Sequence, residues 1–186
     1  VTSGGQTAVI MTDLVQGFLL LIAGIVLFIL GVKYIGGIKT LWENLPVTHR
    51  LPFSGFNTPE KFPGVGIFWQ DAMANSLAFY FMNQGVLMRF LSAKSVREGK
   101  KAIYFVALVM MPLTTLAVAN AGWIGKAMVN LNILPQNTPS EKIFVVVTHL
   151  VCKPGVFGLI MAALTAALMS TVDTLINAIS AVFVND

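Results

Sequence analysis

The sequence predicts an all-α integral membrane protein, and three observations carry the prediction. Only 11% of the 186 residues are charged, against 56% hydrophobic, where soluble domains carry about a quarter charged residues. Mean hydropathy is +0.79. Four apolar stretches reach the ~20 residues that a helix needs to cross a bilayer. With 12 basic and 8 acidic residues, the chain has too few charges to clothe a soluble globule, so the lipid bilayer is its first expected partner. The composition also excludes a disordered chain, a nucleic-acid arm and a disulfide-stapled secreted domain. The +4 formal charge rests on a small charged set and points to no nucleic-acid partner. Cys152, the single cysteine, can form no internal disulfide.

The first span covers about 6–32: its apolar core, Leu14 to Val32, is interrupted only by Gln16, and its helix starts after Gly4-Gly5. The second, about 67–88, contains Asp71, Asn75, Ser76, Asn83 and Gln84. The third, about 102–121, carries Pro112, which frees a backbone carbonyl and predicts a kink. The fourth, about 155–184, follows Pro154-Gly155 and contains Ser170, Thr171, Asp173, Thr174 and Asn177. Between the first two spans, Gly36-Gly37, Pro46, Pro52, Pro59 and Pro63 predict an irregular loop with a short helix near Ile38–Leu45. Ser140-Glu141-Lys142 starts a short helix through IFVVVTHLV, too short to span and therefore placed at the membrane interface. The connection Arg89–Lys101 holds Arg89, Lys94, Arg97, Lys100 and Lys101 against one acid, Glu98. The basic bias of short loops makes it cytoplasmic, which puts both chain ends on that side. The chain opens with Val1, no basic leader or cleavage site precedes the first apolar run, and four spans are few for a transport pore. We therefore read residues 1–186 as an internal fragment of one transmembrane domain whose remaining partner is the rest of its own chain.

Polar side chains inside these spans carry the functional reading. An ionisable group in lipid costs roughly 2.5–3.5 kcal/mol and faces a cavity or a partner. Asp13 lies roughly 12 Å into its helix at 1.5 Å per residue, and Asp173 lies in the cytoplasmic half of the fourth span, so the two can share a depth. Each reads as a cation or proton group, or as a buried hydrogen bond to its neighbouring threonine. Ala167, Ser170 and Thr171 share a helical face at i, i+3, i+4. A backbone carbonyl and two hydroxyls there offer the hard oxygen ligands that small cations prefer; small residues also serve plain helix packing. Ser76, Phe79, Tyr80, Asn83 and Gln84 fall at i, i+3, i+4, i+7 and i+8, one stripe if the helix is continuous. Its aromatic and amide groups suit a polar organic solute, or packing and interhelical hydrogen bonds. His49 and His149 lack partners at ligand spacing, and no metal site is assigned to them. No phosphate loop or nucleophile elbow occurs, so no enzyme is indicated.

Three motifs resemble the sodium:solute symporter family, which includes the sodium/glucose cotransporters. SGGQTAVIMTDLVQG resembles the family's GG-x-x-AV-x-x-TD-x-x-Q stretch. NQGVLMRFLSAKSVREGKKA, Asn83 to Ala102, resembles its NQ…QR-x-LAAKS loop, with Met88 and Ser92 replacing Gln and Ala. PGVFGLIMAALTAALMSTVDTLINAISAVFVND resembles its G-x-x-GL-x-x-AA-x-x-AA-x-MSS…N…F-x-x-D helix. The three occur in the family's order at compatible spacing. The resemblance implies a partial leucine-transporter-type inverted-repeat fold, in which these spans are core helices five to eight. It implies a sodium ion bound by Ala167, Ser170 and Thr171, with Asp13 joining the hydroxyls around a second sodium. The family usually has Ser-Ser where this chain has Ser170-Thr171, and a threonine hydroxyl can still ligate. Asp173 stands where small or neutral residues are usual. Ser76, Phe79 and Tyr80 match positions that contact or gate sugar in sugar-transporting members, where Asn, Tyr and Trp occur, and Met110 falls near a sugar-binding Lys. All four differ, so glucose specificity does not carry over.

The implied function is sodium-coupled alternating-access transport of a small organic solute (a sugar, sugar acid or similar) by a multi-pass protein of the plasma (inner) membrane. Two alternatives stay open. One is a transporter-like sensor module of a signalling protein. The other, kept open by Asp173, is a proton-coupled carrier.

Overall fold

The computed structural model describes residues 5–50 and 68–185, and these residues form helices joined by turns. The proline-rich part of the expected loop, residues 51–67, lies outside the described residues.

Helix α1 spans Gly5–Tyr34. It stops at Gly36 and Gly37, whose φ angles of +97° and +115° are open to glycine at little cost. Their N–H groups return to the carbonyls of Lys33 and Val32 at 3.2 and 2.8 Å, closing the helix end. Two short helices follow, α2 (Ile38–Asn44) and α3 (Val47–Arg50).

The second apolar run departs from the continuous span that its hydropathy predicts. It forms a π-helical stretch, Phe68–Asn75, then α4 (Ser76–Met82) and α5 (Gln84–Leu91). The break is at Asn83, whose backbone is extended at φ −80°, ψ 107° and whose side-chain oxygen accepts the Val86 N–H at 3.1 Å. An asparagine competes well for this orphan donor and so favours starting a new helix over continuing the old one. Among the described residues, three helical stretches are therefore long and apolar enough to cross a membrane: Thr7–Tyr34, Val96–Asn130 and Pro154–Val184.

The middle one is a rod built from α6 (Val96–Phe105), a π-helical turn (Val106–Met110) and α7 (Met111–Asn130). Ser95 caps α6 by accepting the Glu98 N–H at 3.3 Å, a serine followed three residues later by an acid. The π turn sits immediately before Pro112. Proline has no N–H for the Leu108 carbonyl and its ring crowds that carbonyl, so the widened turn absorbs the misfit. A 3₁₀ turn at Ser140–Lys142 leads into α8 (Ile143–Val151), and α9 spans Pro154–Asn185 with proline at its first position.

Residue pairings fix how the long helices run. Gly24 meets Ala117 and Gly31 meets Ile124, so α1 and α7 are parallel. Ala23 and Leu27 share an apolar cluster with Ile160 and Ala163, while Asp13 bonds Ser170, so α1 and α9 are antiparallel. At the α1–α7 crossing a Cβ on Gly24 would lie 2.5 Å from both the Cβ and the carbonyl oxygen of Ala117. Asn120, fully buried, donates from Nδ2 to the carbonyls of Gly24 and Ala117 at 2.8 Å each. Small residues at a crossing with an interhelical polar bond are how helices associate where lipid offers no hydrophobic drive. At the far end, α2 and α8 close over a second cluster containing Ile35, Leu41, Ile124, Met128 and Val147.

Candidate ion and solute site

The polar residues of three helices converge near the Gly5 end of the molecule. Asp13, on α1, faces α9 and is held on both carboxylate oxygens. Oδ1 accepts the Ser170 hydroxyl at 2.5 Å, and Oδ2 pairs with Nη2 of Arg89, which arrives from α5. The same nitrogen donates to the Thr174 hydroxyl at 2.7 Å, and that hydroxyl donates to the Ser170 carbonyl at 2.9 Å. The Asp13 side chain is 14% exposed and that of Arg89 39%. A charged carboxylate this far inside an apolar assembly needs a counter-charge, and Arg89 provides it.

A cleft of about 280 Å³ opens beside this network between α5 and α9. Its walls include Phe79, Asn83, Arg89, Ser170, Thr171 and Thr174. The helices meet closely at Gly85, where a Cβ would lie 2.6 Å from Cγ2 of Thr174. The absence of a side chain there lets Arg89, one turn further on, reach across to Asp13.

The structure brings together some of the sequence-selected residues and separates others. Asp13 and Ser170 touch, and Thr171 lines the adjoining cleft. The Ala167 carbonyl accepts the Thr171 hydroxyl at 3.3 Å, which places those two groups side by side. Phe79 and Asn83 line the same cleft. Ser76, Tyr80 and Gln84 are not among the cleft-lining residues; for Gln84 the break at Asn83 ends the helical register on which the i+8 spacing depended. Tyr80 packs edge-on against Phe79 at 5.8 Å, Ser76 donates to the Asp71 carbonyl at 3.0 Å, and Gln84 starts α5, exposed. Asp173 is half-buried on α9, and no ion pair joins it to another group among the described residues. It is not bonded to Asp13, whose partners are Arg89 and Ser170. Met110 lies with Asp13, Gly17 and Thr114 along a separate, almost wholly apolar groove between α1 and the α6–α7 rod.

Arg89 is the residue that sequence reasoning assigned elsewhere. It counted among the basic residues of a loop, whereas its side chain turns inward from the last turns of α5. Two signals were present in the sequence. Asn83, Val86 and Arg89 repeat at i, i+3, i+6, and Asp13 was an intramembrane acid in need of a basic partner.

Asn83 has two roles, as helix cap and as cleft wall. Asn83→Ala is expected to cost about 1 kcal/mol through loss of the cap. Asn83→Asp, which keeps the acceptor, is expected to restore that loss, as read from thermal unfolding of the two variants in detergent.

The family model for the sodium:solute symporter family matches residues 1–186, the whole chain. The chain belongs to the sodium:solute symporter family. Family members and the curated relatives are transporters, not enzymes. The sodium/glucose cotransporter of Vibrio parahaemolyticus is 27% identical over 98% of this chain and 37% of its own length. The sodium/sialic acid symporter NanT of Aliivibrio fischeri is also 27% identical, over 98% of this chain and 37% of its own. The osmoregulated proline transporter OpuE of Bacillus subtilis is 25% identical over 92% of this chain and 33% of its own. The chain thus spans about a third of the length of these relatives. No solved structure matches it.

Proposed function

We propose that this chain is the ion-binding part of a sodium-coupled transporter that carries a small organic solute across the plasma (inner) membrane by alternating access. The observation that carries the reading is the contact of Asp13 with Ser170 between α1 and α9, with Thr171 lining the cleft beside Ser170. A carboxylate, two hydroxyls and the Ala167 carbonyl supply the oxygen ligands that a small hard cation prefers. Membership of the symporter family supports sodium as that cation, a transported substrate rather than a resident metal. The basic residues Lys94, Arg97, Lys100 and Lys101 support a cytoplasmic position for the end of the molecule that carries them. Ion binding and solute binding are then linked through one conformational equilibrium. The membrane potential contributes about 2.3 kcal/mol per charge per 100 mV to inward movement.

The solute class follows from the wall beside the ion site. Phe79 offers an aromatic face, Asn83 an amide and Thr171 a hydroxyl, which suits a polar organic molecule with several hydrogen-bonding groups. The relatives named for glucose and sialic acid share the sodium-coupling name but differ in solute.

The test is uptake of labelled sugars, sugar acids and amino acids by the full-length transporter in proteoliposomes, with and without an inward sodium gradient. Sodium-dependent uptake that Ser170→Ala lowers severalfold at subsaturating sodium supports the reading. Uptake indifferent to sodium and driven by a proton gradient would overturn it. In that case Asp173, half-buried in α9, is the acid to mutate first.

A further inference from the structure

Asp13 already has a partner on each carboxylate oxygen. The Ser170 hydroxyl occupies one oxygen and the Arg89 guanidinium the other, and Arg89 is anchored a second time on Thr174. One carboxylate cannot give its full charge to two cations at the same distance. A small cation that takes Asp13 as a ligand therefore meets the positive charge of Arg89 beside it, and the two compete for the carboxylate. Arg89 has somewhere to go. Its side chain is 39% exposed and borders the 280 Å³ cleft, whereas Asp13 is 14% exposed. The close approach of α5 to α9 at Gly85 brings Arg89 to Asp13 at the edge of that cleft.

We infer that Arg89 is a tethered internal cation that holds the Asp13 carboxylate until an entering sodium ion displaces it into the cleft between α5 and α9. The inference rests on the proposed ion site. It makes Arg89 a positioning residue that sets sodium affinity, and Thr174 the hydroxyl that sets how firmly Arg89 is held. Because one positive charge replaces another beside Asp13, the carboxylate stays neutralised throughout the exchange. The arginine side chain also ties α1, α5 and α9 together at one end of the molecule, and its release loosens that junction when the ion binds.

The experiment is equilibrium binding of radioactive sodium to the full-length transporter in detergent, with four proteins compared. Removing the competitor in Arg89→Gln is expected to tighten sodium binding by about 3- to 10-fold, and Thr174→Val, which removes only the second anchor, by about 2- to 5-fold. A tightening is a change that general structural damage does not produce. Asp13→Asn should weaken binding at least tenfold. If Asp13→Asn weakens binding while Thr174→Val and Arg89→Gln leave it unchanged or weaker, Arg89 is not a competitor and the inference fails with the ion site intact. If Asp13→Asn leaves binding unchanged, the ion site itself is wrong. Should Arg89→Gln not yield folded protein, the near-isosteric Thr174→Val decides alone, and unchanged or weaker binding in it overturns the inference.

Discussion

Replacing Asp13 by Asn in the full-length transporter is expected to raise the sodium concentration for half-maximal uptake by about 10- to 100-fold. The side chain keeps its size, and its amide oxygen can still accept the Ser170 hydroxyl that Asp13 Oδ1 accepts at 2.5 Å. What is lost is the charge. Contacts to a charged group contribute about 1.5–3 kcal/mol more than none, and each ~1.4 kcal/mol is tenfold in affinity. The substitution also strips Arg89 of its counter-charge while Thr174 still holds it. The cleft beside the site then gains a net positive charge, which repels an entering cation and adds to the loss. Uptake measured across a sodium titration checks this. An unchanged half-saturating concentration, with maximal rate preserved, would remove Asp13 from the ion path.

The largest effect on stability is expected at Gly24. A Cβ there would lie 2.5 Å from Cβ and from the carbonyl oxygen of Ala117, and 2.8 Å from its Cα. Two of those three atoms are backbone, so no rotamer change relieves the clash and α1 and α7 must separate. Separation also breaks the bond from the buried Asn120 to the Gly24 carbonyl. Overfilling a packed interface costs typically about 1–3 kcal/mol, and leaving a buried amide without a partner adds about 1–3 kcal/mol. Gly24→Val is therefore expected to lower the unfolding temperature in detergent by many degrees, measured by intrinsic tryptophan fluorescence. Gly17→Val, on the same helix with nothing within 4 Å of the added Cβ, is the control and is expected to melt close to the parent. Equal melting of the two variants would mean that the α1–α7 crossing is not built on Gly24.

The contrast between these two positions marks what kind of information each level carries. The amino-acid sequence by itself determined the class of protein, since a chain with 56% hydrophobic and 11% charged residues has nowhere to fold but lipid. It singled out Asp13 and Ser170, which the fold brings into contact, because hydrophobic context makes an intramembrane acid and a small-hydroxyl face conspicuous one residue at a time. It also placed the short helices at Ile38–Asn44 and Ile143–Val151, where glycine, proline and serine punctuate the chain locally. Tertiary structure decided the rest. Hydropathy sums over a window and is blind to a single cap, so the run around 67–88 reads as one span although Asn83 divides it, and the stripe from Ser76 to Gln84 divides with it. An arginine at a helix end looks the same to a charge count whether it faces water or the interior. Only the approach of α5 to α9 at Gly85 turns Arg89 inward to meet Asp13, a residue 76 positions earlier in the chain. Patterns that depend on neighbours within a helical turn are written in the sequence, whereas a pairing between distant helices exists only once packing has brought their backbones together.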